Sequence, residues 1–199
     1  RGKTTKENPT KGNTFIIWNG GKTGDFELRL DYKIVGGNSG IQYRSFKLKN
    51  GADQWRVGGY QADIDSGPTY SGICYGEAFR GILSLRGKKT ILQVAEDGKL
   101  KKSVEEFSKD ADVAKAVKNE KWNSYRIVAR NFNLTQYING VKTTQVIDRD
   151  KKTRRADGLL ALQLHAGPPM KVQFKNIRIK ELAKRKSKAG AAKKGEAKK

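Results

Sequence analysis

Ten residues from Asp25 to Ile34 alternate between charged and apolar side chains without interruption. The apolar positions are Phe26, Leu28, Leu30, Tyr32 and Ile34, and the charged ones are Asp25, Glu27, Arg29, Asp31 and Lys33. Successive side chains of a β-strand point to opposite sides, so the pattern predicts a strand with one face in a core and one in water. Such a strand needs a second apolar layer to cover its buried face.

Turn signals divide the rest of the chain into short segments of the same kind. Gly36-Gly37, Gly67-Pro68, Asp97-Gly98 and Asn139-Gly140 follow or precede alternating runs, and the last two are typical hairpin turns. Ser103 and Glu106 have the spacing of a helix capping box, which predicts one or two short helices between Ser103 and Asn119. No helical pattern is long enough to form a second layer. The prediction is therefore an all-β sandwich of two antiparallel sheets, with those helices in a loop insertion.

Length and charge predict one domain with tails. The chain has 199 residues and a net charge of +22. We expect a polar N-terminal segment at 1–12, the sandwich at 13–182 and a disordered Lys-rich tail at 183–199 that binds polyanions. The charge is not accompanied by a nucleic-acid recognition motif, so no specific nucleic acid is expected. Cys74 is the only cysteine, and no apolar run is long enough for a membrane span.

A polar face is predicted on the strand from Gly59 to Asp65. Alternation places Gln61, Asp63 and Asp65 on one side of the strand. The residues on the other side, which face the core, are Tyr60, Ala62 and Ile64. A solvated sheet surface is the simpler interpretation, but such surfaces usually carry long side chains rather than two short carboxylates and an amide. The face is therefore a candidate binding site.

Two other predicted strands repeat this arrangement. Asn38, Gln42 and Arg44 share one side of the first, and Gln163 and His165 share one side of the second. Three strands with amide, carboxylate, guanidinium and imidazole groups on one side are typical of a sugar-binding cleft. A lone histidine is as often a satisfied rim residue as a catalyst, so both interpretations of His165 remain open.

Six motifs carry a resemblance to a known family. They are N-S-G-I-Q-Y-R at 38–44, G-Y-Q-A-D-I-D at 59–65, S-G-I-C-Y-G-E-A-F-R-G at 71–81, K-W-N-S-Y-R-I at 121–127, I-N-G at 138–140 and L-Q-L-H-A-G through K-E-L at 162–182. In this order they resemble the 3-keto-disaccharide hydrolase domain family. The resemblance covers about Phe15 to Leu182 and implies a concanavalin A/laminin G-like jelly roll.

The sequence also departs from the family pattern. Family members often carry G-Y-E-x-Q-x-x-D, so Gln61 stands where a Glu is common and Asp63 where a Gln is common. A branch of the family has the G-Y-Q-A-D form with a downstream Glu-x-x-Arg, which Glu77 and Arg80 match. The usual opening segment of the family has no counterpart before Phe15, so we expect an N-terminally truncated piece with an unpaired sheet edge.

The resemblance implies cleavage of a glycoside whose sugar is oxidised to a ketone at carbon 3. The ketone acidifies the proton at carbon 2, so a base can form an enolate that expels the group at carbon 1, after which water adds. The candidate acid and base groups are Asp63, Asp65, Glu77 and His165, with Asp63 or His165 expected to be the base. Asp63, Asp65 and Glu77 could also supply oxygen ligands to Ca²⁺ or a similar divalent cation.

The enolate oxygen requires a stabilising group. The cationic candidates are Arg44, Arg80 and Lys88, although Arg44 could equally form an ion pair with Asp63 or Asp65. Trp55 is the candidate for stacking on a sugar ring. The residues assigned to substrate contact are Asn38, Gln42, Arg44, Trp55, Tyr60, Gln61, Arg80 and Gln163.

A non-catalytic carbohydrate-binding module is the alternative function, because the same sandwich hosts lectins. The cleft carboxylates favour catalysis on a small carbohydrate. The family association implies a periplasmic or extracellular bacterial protein.

Overall fold

The computed structural model describes residues 1–48 and 55–183. The polar sequence around Asn50-Gly51 predicts a loop, and this segment lies outside these residues, as does the predicted Lys-rich tail apart from Ala183. In the described part the strands are β1 (Gly2–Lys3), β2 (Thr14–Ile17), β3 (Phe26–Val35), β4 (Asn38–Lys47), β5 (Val57–Asp65), β6 (Cys74–Glu77), β7 (Gly81–Ser84), β8 (Lys88–Val94), β9 (Leu100–Glu106), β10 (Asn123–Arg130), β11 (Asn133–Ile138), β12 (Val141–Asp148), β13 (Leu159–Leu164) and β14 (Lys171–Glu181). One short helix, α1 (Asp110–Ala114), follows β9.

Two sheets form the sandwich, which confirms the predicted fold class. The eight-stranded sheet has the order β1-β14-β3-β10-β11-β12-β8-β9, and the six-stranded sheet has the order β2-β13-β4-β5-β6-β7. Every pairing is antiparallel except that of β8 with β12. Among the described residues, no helix has the length and apolar character needed to cross a membrane.

The core lies between the sheets and follows the alternation in the sequence. Phe26, Leu28 and Leu30 of β3 are buried against Ala62 and Ile64 of β5. Burial of these side chains supplies most of the free energy that holds the sheets together. Because one face of β5 is fixed in this core, its other residues are directed to the outer face of the six-stranded sheet.

Two local predictions have different outcomes. The hairpin at Asn139-Gly140 is confirmed, since it connects β11 to β12. The capping box at Ser103 and Glu106 is wrong, because both residues belong to β9, which pairs with β8 through the Asp97-Gly98 hairpin. Cross-strand pairing outweighs the local capping signal here, and the helix begins at Asp110 instead.

The N-terminal segment also contributes to a sheet. Gly2 and Lys3 pair with Val172 and Lys171 of β14, and the Thr4 backbone N–H donates to the Met170 carbonyl at 2.9 Å. These contacts place β1 at one edge of the eight-stranded sheet.

Candidate active-site cleft

A cleft of about 450 Å³ lies on the outer face of the six-stranded sheet. Its walls come from the start of β4, the end of β5, strand β6, and the segments beside β2 and β13. The lining residues are Asn13, Asn38, Gln61, Asp63, Asp65, Tyr70, Ile73, Tyr75, Glu77, Ile82 and His165. The four candidate acid and base residues, Asp63, Asp65, Glu77 and His165, therefore line one cleft.

Asp63 is the most deeply buried acid in the cleft, with 5% of its surface exposed. Its Oδ1 accepts a hydrogen bond from Asn38 Nδ2 at 2.8 Å, and its Oδ2 accepts one from Gln61 Nε2 at 3.4 Å. In the described part of the chain, no Lys or Arg forms an ion pair with it. The carboxyl group is thus held by neutral amides alone.

This environment shifts the ionisation of Asp63 strongly. The pKa of the Asp63 carboxyl is raised to about 7; burial is the largest cause, the amides of Asn38 and Gln61 lower the pKa, and the nearby Asp65 adds a smaller upward contribution. Desolvation is the largest cause because it disfavours the charged form. A carboxyl group with a pKa near neutrality can take up and release a proton at physiological pH.

A row of buried side chains fixes the amide that faces Asp63. Ser45 Oγ donates to Gln42 Oε1 at 2.9 Å, and Gln42 Nε2 donates to Gln61 Oε1, which directs the Gln61 NH₂ group toward Asp63. Gln61 lies directly over Gly40, where a Cβ would come within 2.4 Å of Gln61 Cδ. A side chain at position 40 would displace Gln61, so glycine is required there.

Glu77 is held by amides from distant parts of the chain. Asn13 Nδ2 donates to Glu77 Oε1 at 3.3 Å, and Gln163 Nε2 donates to Glu77 Oε2 at 3.5 Å. The Asn13 Oδ1 atom in turn accepts from the Ala166 backbone N–H at 3.0 Å. Asn13 therefore ties the N-terminal segment to both Glu77 and the loop that carries His165.

The His165 ring is oriented by the backbone of the next residue. Its Nδ1 lies in close hydrogen-bond contact with the Ala166 carbonyl. A carbonyl oxygen can only accept, so Nδ1 carries the hydrogen, and in the neutral ring Nε2 carries the lone pair. His165 can therefore take part in proton transfer through Nε2.

The rim of the cleft is less buried than its floor. Asp65 is half-buried, and its Oδ2 accepts from the Tyr70 backbone N–H at 3.3 Å. Burial raises the pKa of the Tyr75 hydroxyl, and the nearby Glu77 carboxylate contributes in the same direction. Tyr75 is thus kept in the protonated form, which can donate a hydrogen bond.

Arg44 does not lie in the cleft, contrary to the prediction from alternation. The register of β4 against β5 shifts between Tyr43 and Phe46, and Arg44 has a φ of 46°. This bulge turns Arg44 into the interior, where NH2 lies 3.0 Å from Asp25 Oδ1 and Nε donates to the Gly24 carbonyl at 3.0 Å. Its ion-pair partner is therefore Asp25 and not Asp63 or Asp65.

Arg80 and Tyr60 also lie away from the cleft. Arg80 forms an ion pair with the fully buried Asp148, and its NH1 lies 3.5 Å from Asp150 Oδ2. Tyr60 is 1% exposed, and its hydroxyl donates to Asp148 Oδ2 at 2.6 Å. The structure thus places both residues in a buried ionic cluster, with no surface on the cleft.

The remaining candidates are distributed as follows. Trp55 is 54% exposed and precedes β5, at the opposite end of that strand from Asp65. Lys88 forms an ion pair with Glu106 in the other sheet. Gln42 and Gln163 are buried beneath the cleft, so they support Gln61 and Glu77 rather than line the surface.

Several cleft residues were not predicted from the sequence. Asn13 lies in a segment without periodicity. Tyr75 lies on the short strand β6, for which only the family motif gave a signal, and Ile82 lies on β7, just beyond the end of that motif. Among residues 1–48 and 55–183, no group of three or more His, Cys, Asp or Glu side chains is arranged to hold a metal ion.

Comparison with known protein families gives a match over most of the chain. The model of the 3-keto-alpha-glucoside-1,2-lyase-like domain matches residues 1–180. The chain belongs to this family. The resemblance seen in the sequence is thereby confirmed, and the match includes every residue of the cleft. A search of curated protein sequences returned no significant match.

Solved structures of low sequence identity share the fold of this 3-keto-glucoside lyase-like domain. The carbohydrate-binding module CBM66 from Bacillus subtilis is 14% identical, with a TM-score of 0.51 and coverage of 89% of both chains. A candidate glycosyl hydrolase from Parabacteroides distasonis is 20% identical, with a TM-score of 0.52 and coverage of 88% of this chain and 89% of that one. A Bacillus subtilis protein of unknown function with a galectin-like fold is 6% identical, with a TM-score of 0.52, and the match covers 92% of this chain and 88% of that one.

Proposed function

We propose that the protein cleaves 3-keto-glycosides by proton abstraction and elimination, with Asp63 as the base. The observation that carries the proposal is the position of Asp63: a carboxyl group on the floor of the cleft, held by two side-chain amides, with no cationic partner among residues 1–48 and 55–183 and with a pKa of about 7. The family match supports the same chemistry, because its description names a lyase acting on a 3-keto-glucoside.

In the proposed reaction, ionised Asp63 takes the proton from carbon 2 of the keto sugar. The electron pair of that C–H bond forms the enolate, and the bond from carbon 1 to the leaving oxygen then breaks. A proton donor must supply the hydrogen of the released hydroxyl group, and water then adds to the unsaturated sugar. A base with a pKa near neutrality suits the first step, since about half of it is ionised at pH 7 and the ionised form is still basic enough to accept a proton.

The enolate oxygen needs a hydrogen-bond donor in this cleft, and the three cationic candidates lie elsewhere. The Tyr75 hydroxyl and the Asn13 amide are neutral donors on the lining, and they take this role in the proposal. Neutral donors can stabilise developing charge well when they are fixed before the reaction begins. The proposed donor to the leaving oxygen is the imidazolium form of His165, which gives up its Nε2 hydrogen and returns to the neutral ring. Glu77 accepts hydrogen bonds from Asn13 and Gln163 and so holds the amides of the cleft in place.

The test is release of free sugar from 3-keto-trehalose and 3-keto-lactose, compared with the unoxidised parent sugars, with and without EDTA. The proposal expects turnover of the keto substrates alone and loss of that turnover in Asp63→Asn. Sensitivity to EDTA would add a divalent cation to the mechanism. Cleavage of the parent sugars, or no turnover by a folded protein that binds them in calorimetry, would overturn the proposal. The second of these results would favour a carbohydrate-binding module.

A further inference from the structure

Three arginines lie side by side on the outer face of the eight-stranded sheet, opposite the cleft. Arg178 of β14 pairs in register with Arg29 of β3, and Arg29 pairs with Arg126 of β10. We call these three residues the arginine row. Neighbouring strands are about 4.8 Å apart, so the row presents a guanidinium group at each step across the sheet. It lines a depression of about 410 Å³.

The row is only partly neutralised by its surroundings. Glu27 is the one carboxylate that pairs with it in the described part of the chain, and its Oε1 lies 2.6 Å from Arg29 Nε and 3.4 Å from Arg126 Nε. The nearby Asp31 accepts a hydrogen bond from Asn176 at 2.6 Å instead. Like charges directly opposite each other destabilise a sheet, so this arrangement has a cost that a bound anion would remove.

The row also has donors that are ready for a ligand. The side chain of Arg29 is 66% exposed, that of Arg126 is 41% exposed, and Arg178 is exposed. Arg126 Nε is shielded from solvent beside Glu27 Oε1, at 3.4 Å, so it is not one of the donors available to a ligand. Guanidinium groups bind carboxylate and sulfate through two parallel hydrogen bonds, which a lysine cannot reproduce.

We propose that the arginine row binds an anionic polysaccharide through its carboxylate or sulfate groups. Nucleic acid fits this face less well, because single-stranded binding relies on exposed aromatic rings. The Arg126 guanidinium lies over the Tyr137 ring, 4.5 Å from the ring centroid. The Lys175 ammonium lies over the Trp122 ring, 4.1 Å from its centroid. One face of each ring is therefore occupied by a cation. The row also lies on three neighbouring inner strands of an eight-stranded sheet, a surface wider than the helix or two-stranded ribbon that a duplex groove admits.

Binding is measured on the full chain at about 0.15 M salt, a concentration that screens diffuse attraction. The probes are heparin, polygalacturonate, neutral dextran and a single-stranded oligothymidylate. The test variant combines Arg29→Gln, Arg126→Gln and Arg178→Gln. We expect its affinity for both acidic polysaccharides to fall about tenfold, consistent with the loss of several exposed charge contacts. Dextran should not bind either protein.

The matched control combines Lys6→Gln, Lys22→Gln and Lys151→Gln, which removes the same charge from exposed positions outside the row. It should change the affinity less than about twofold. Equal losses in the two triple variants would overturn the proposal, since total charge would then explain binding. A larger loss for the oligothymidylate than for the polysaccharides would also overturn it and assign the face to nucleic acid.

A third variant replaces the same three arginines with lysine. It keeps the charge and removes the planar fork, so an affinity loss of about threefold is expected, and full retention would contradict recognition by guanidinium groups. If the glutamine variant fails to fold, the lysine variant still tests whether the arginine row binds the polysaccharides. The proposal is independent of catalysis, because sugar release from keto substrates should stay unchanged in all three variants.

Discussion

The charged side chains on the two outer faces of the sandwich differ in how deeply they are buried. On the six-stranded sheet, short acidic side chains are buried among amides, and Asp63 is 5% exposed. On the eight-stranded sheet, long basic side chains remain in water, and Arg29 is 66% exposed. Both faces come from the same alternating pattern in sequence. The comparison teaches that desolvation, rather than the presence of charge, marks the face where chemistry is proposed.

The largest expected effect is on turnover. Asp63→Asn removes the proposed base while keeping the size of the side chain, so kcat for a 3-keto-glycoside should fall by about 10²–10⁴-fold. Asp65→Asn is the matched control, because Asp65 is a half-buried carboxylate two residues further along β5. Its loss should stay below about tenfold. Equal losses would show that overall cleft charge, and not the Asp63 environment, controls the reaction.

Arginines inside and outside the sandwich should differ in their contribution to stability. Arg80→Met leaves Asp148, which is fully buried, without its ionic partner. The free energy of unfolding should fall by about 3 kcal/mol, as expected for one broken buried pair. Arg29→Met on the exposed face should cost less than about 1 kcal/mol. Urea titration measures both, and a small effect of Arg80→Met would contradict a structural role for that cluster.

The burial of Asp63 should also make stability depend on pH. Its pKa is raised from 3.8 to about 7, so the folded state holds a proton that the unfolded state releases between these values. This contribution is fully present below about pH 4 and is lost as the pH rises through 7.

Asp63→Asn should therefore be more stable than the parent by about 4 kcal/mol at pH 8, and the difference should fall below about 1 kcal/mol near pH 4. Urea titrations at the two pH values measure the difference. A constant difference at both values would indicate a packing effect instead of titration.

The smallest expected effect concerns the arginine row. Glu27→Gln removes the carboxylate shared by Arg29 and Arg126. Stability should fall by about 0.5–1 kcal/mol at low salt, because these groups are exposed, and the difference should vanish at about 1 M salt. A loss that does not respond to salt would argue against repulsion within the row.

Alternation in the sequence predicted most of what is local. It predicted the strands that place Asp63 and Asp65 outward on β5 and His165 beside β13, because a side-chain period of two needs no knowledge of the partner strands. The resemblance to the family added the jelly roll.

The sequence predictions were wrong or incomplete where contacts between distant parts of the chain determine the conformation. A bulge opposite Gly59 turned Arg44 into the interior, and a bulge cannot be read from alternation alone. Asn13 was missed because its role depends on contacts with Glu77 and Ala166, far away in the sequence. The capping box at Ser103 failed because pairing with β8 supplied a better set of hydrogen bonds.

The most direct test of the account is a titration of the Asp63 carboxyl carbon by ¹³C NMR, with Asp63→Asn used to assign the signal. The account predicts a midpoint near pH 7 and a pH–rate profile for keto-glycoside cleavage that rises with the same midpoint, since only the ionised base is active. A midpoint near pH 4 would show that Asp63 is ionised throughout the neutral range, and it would contradict a buried carboxyl group poised as the base.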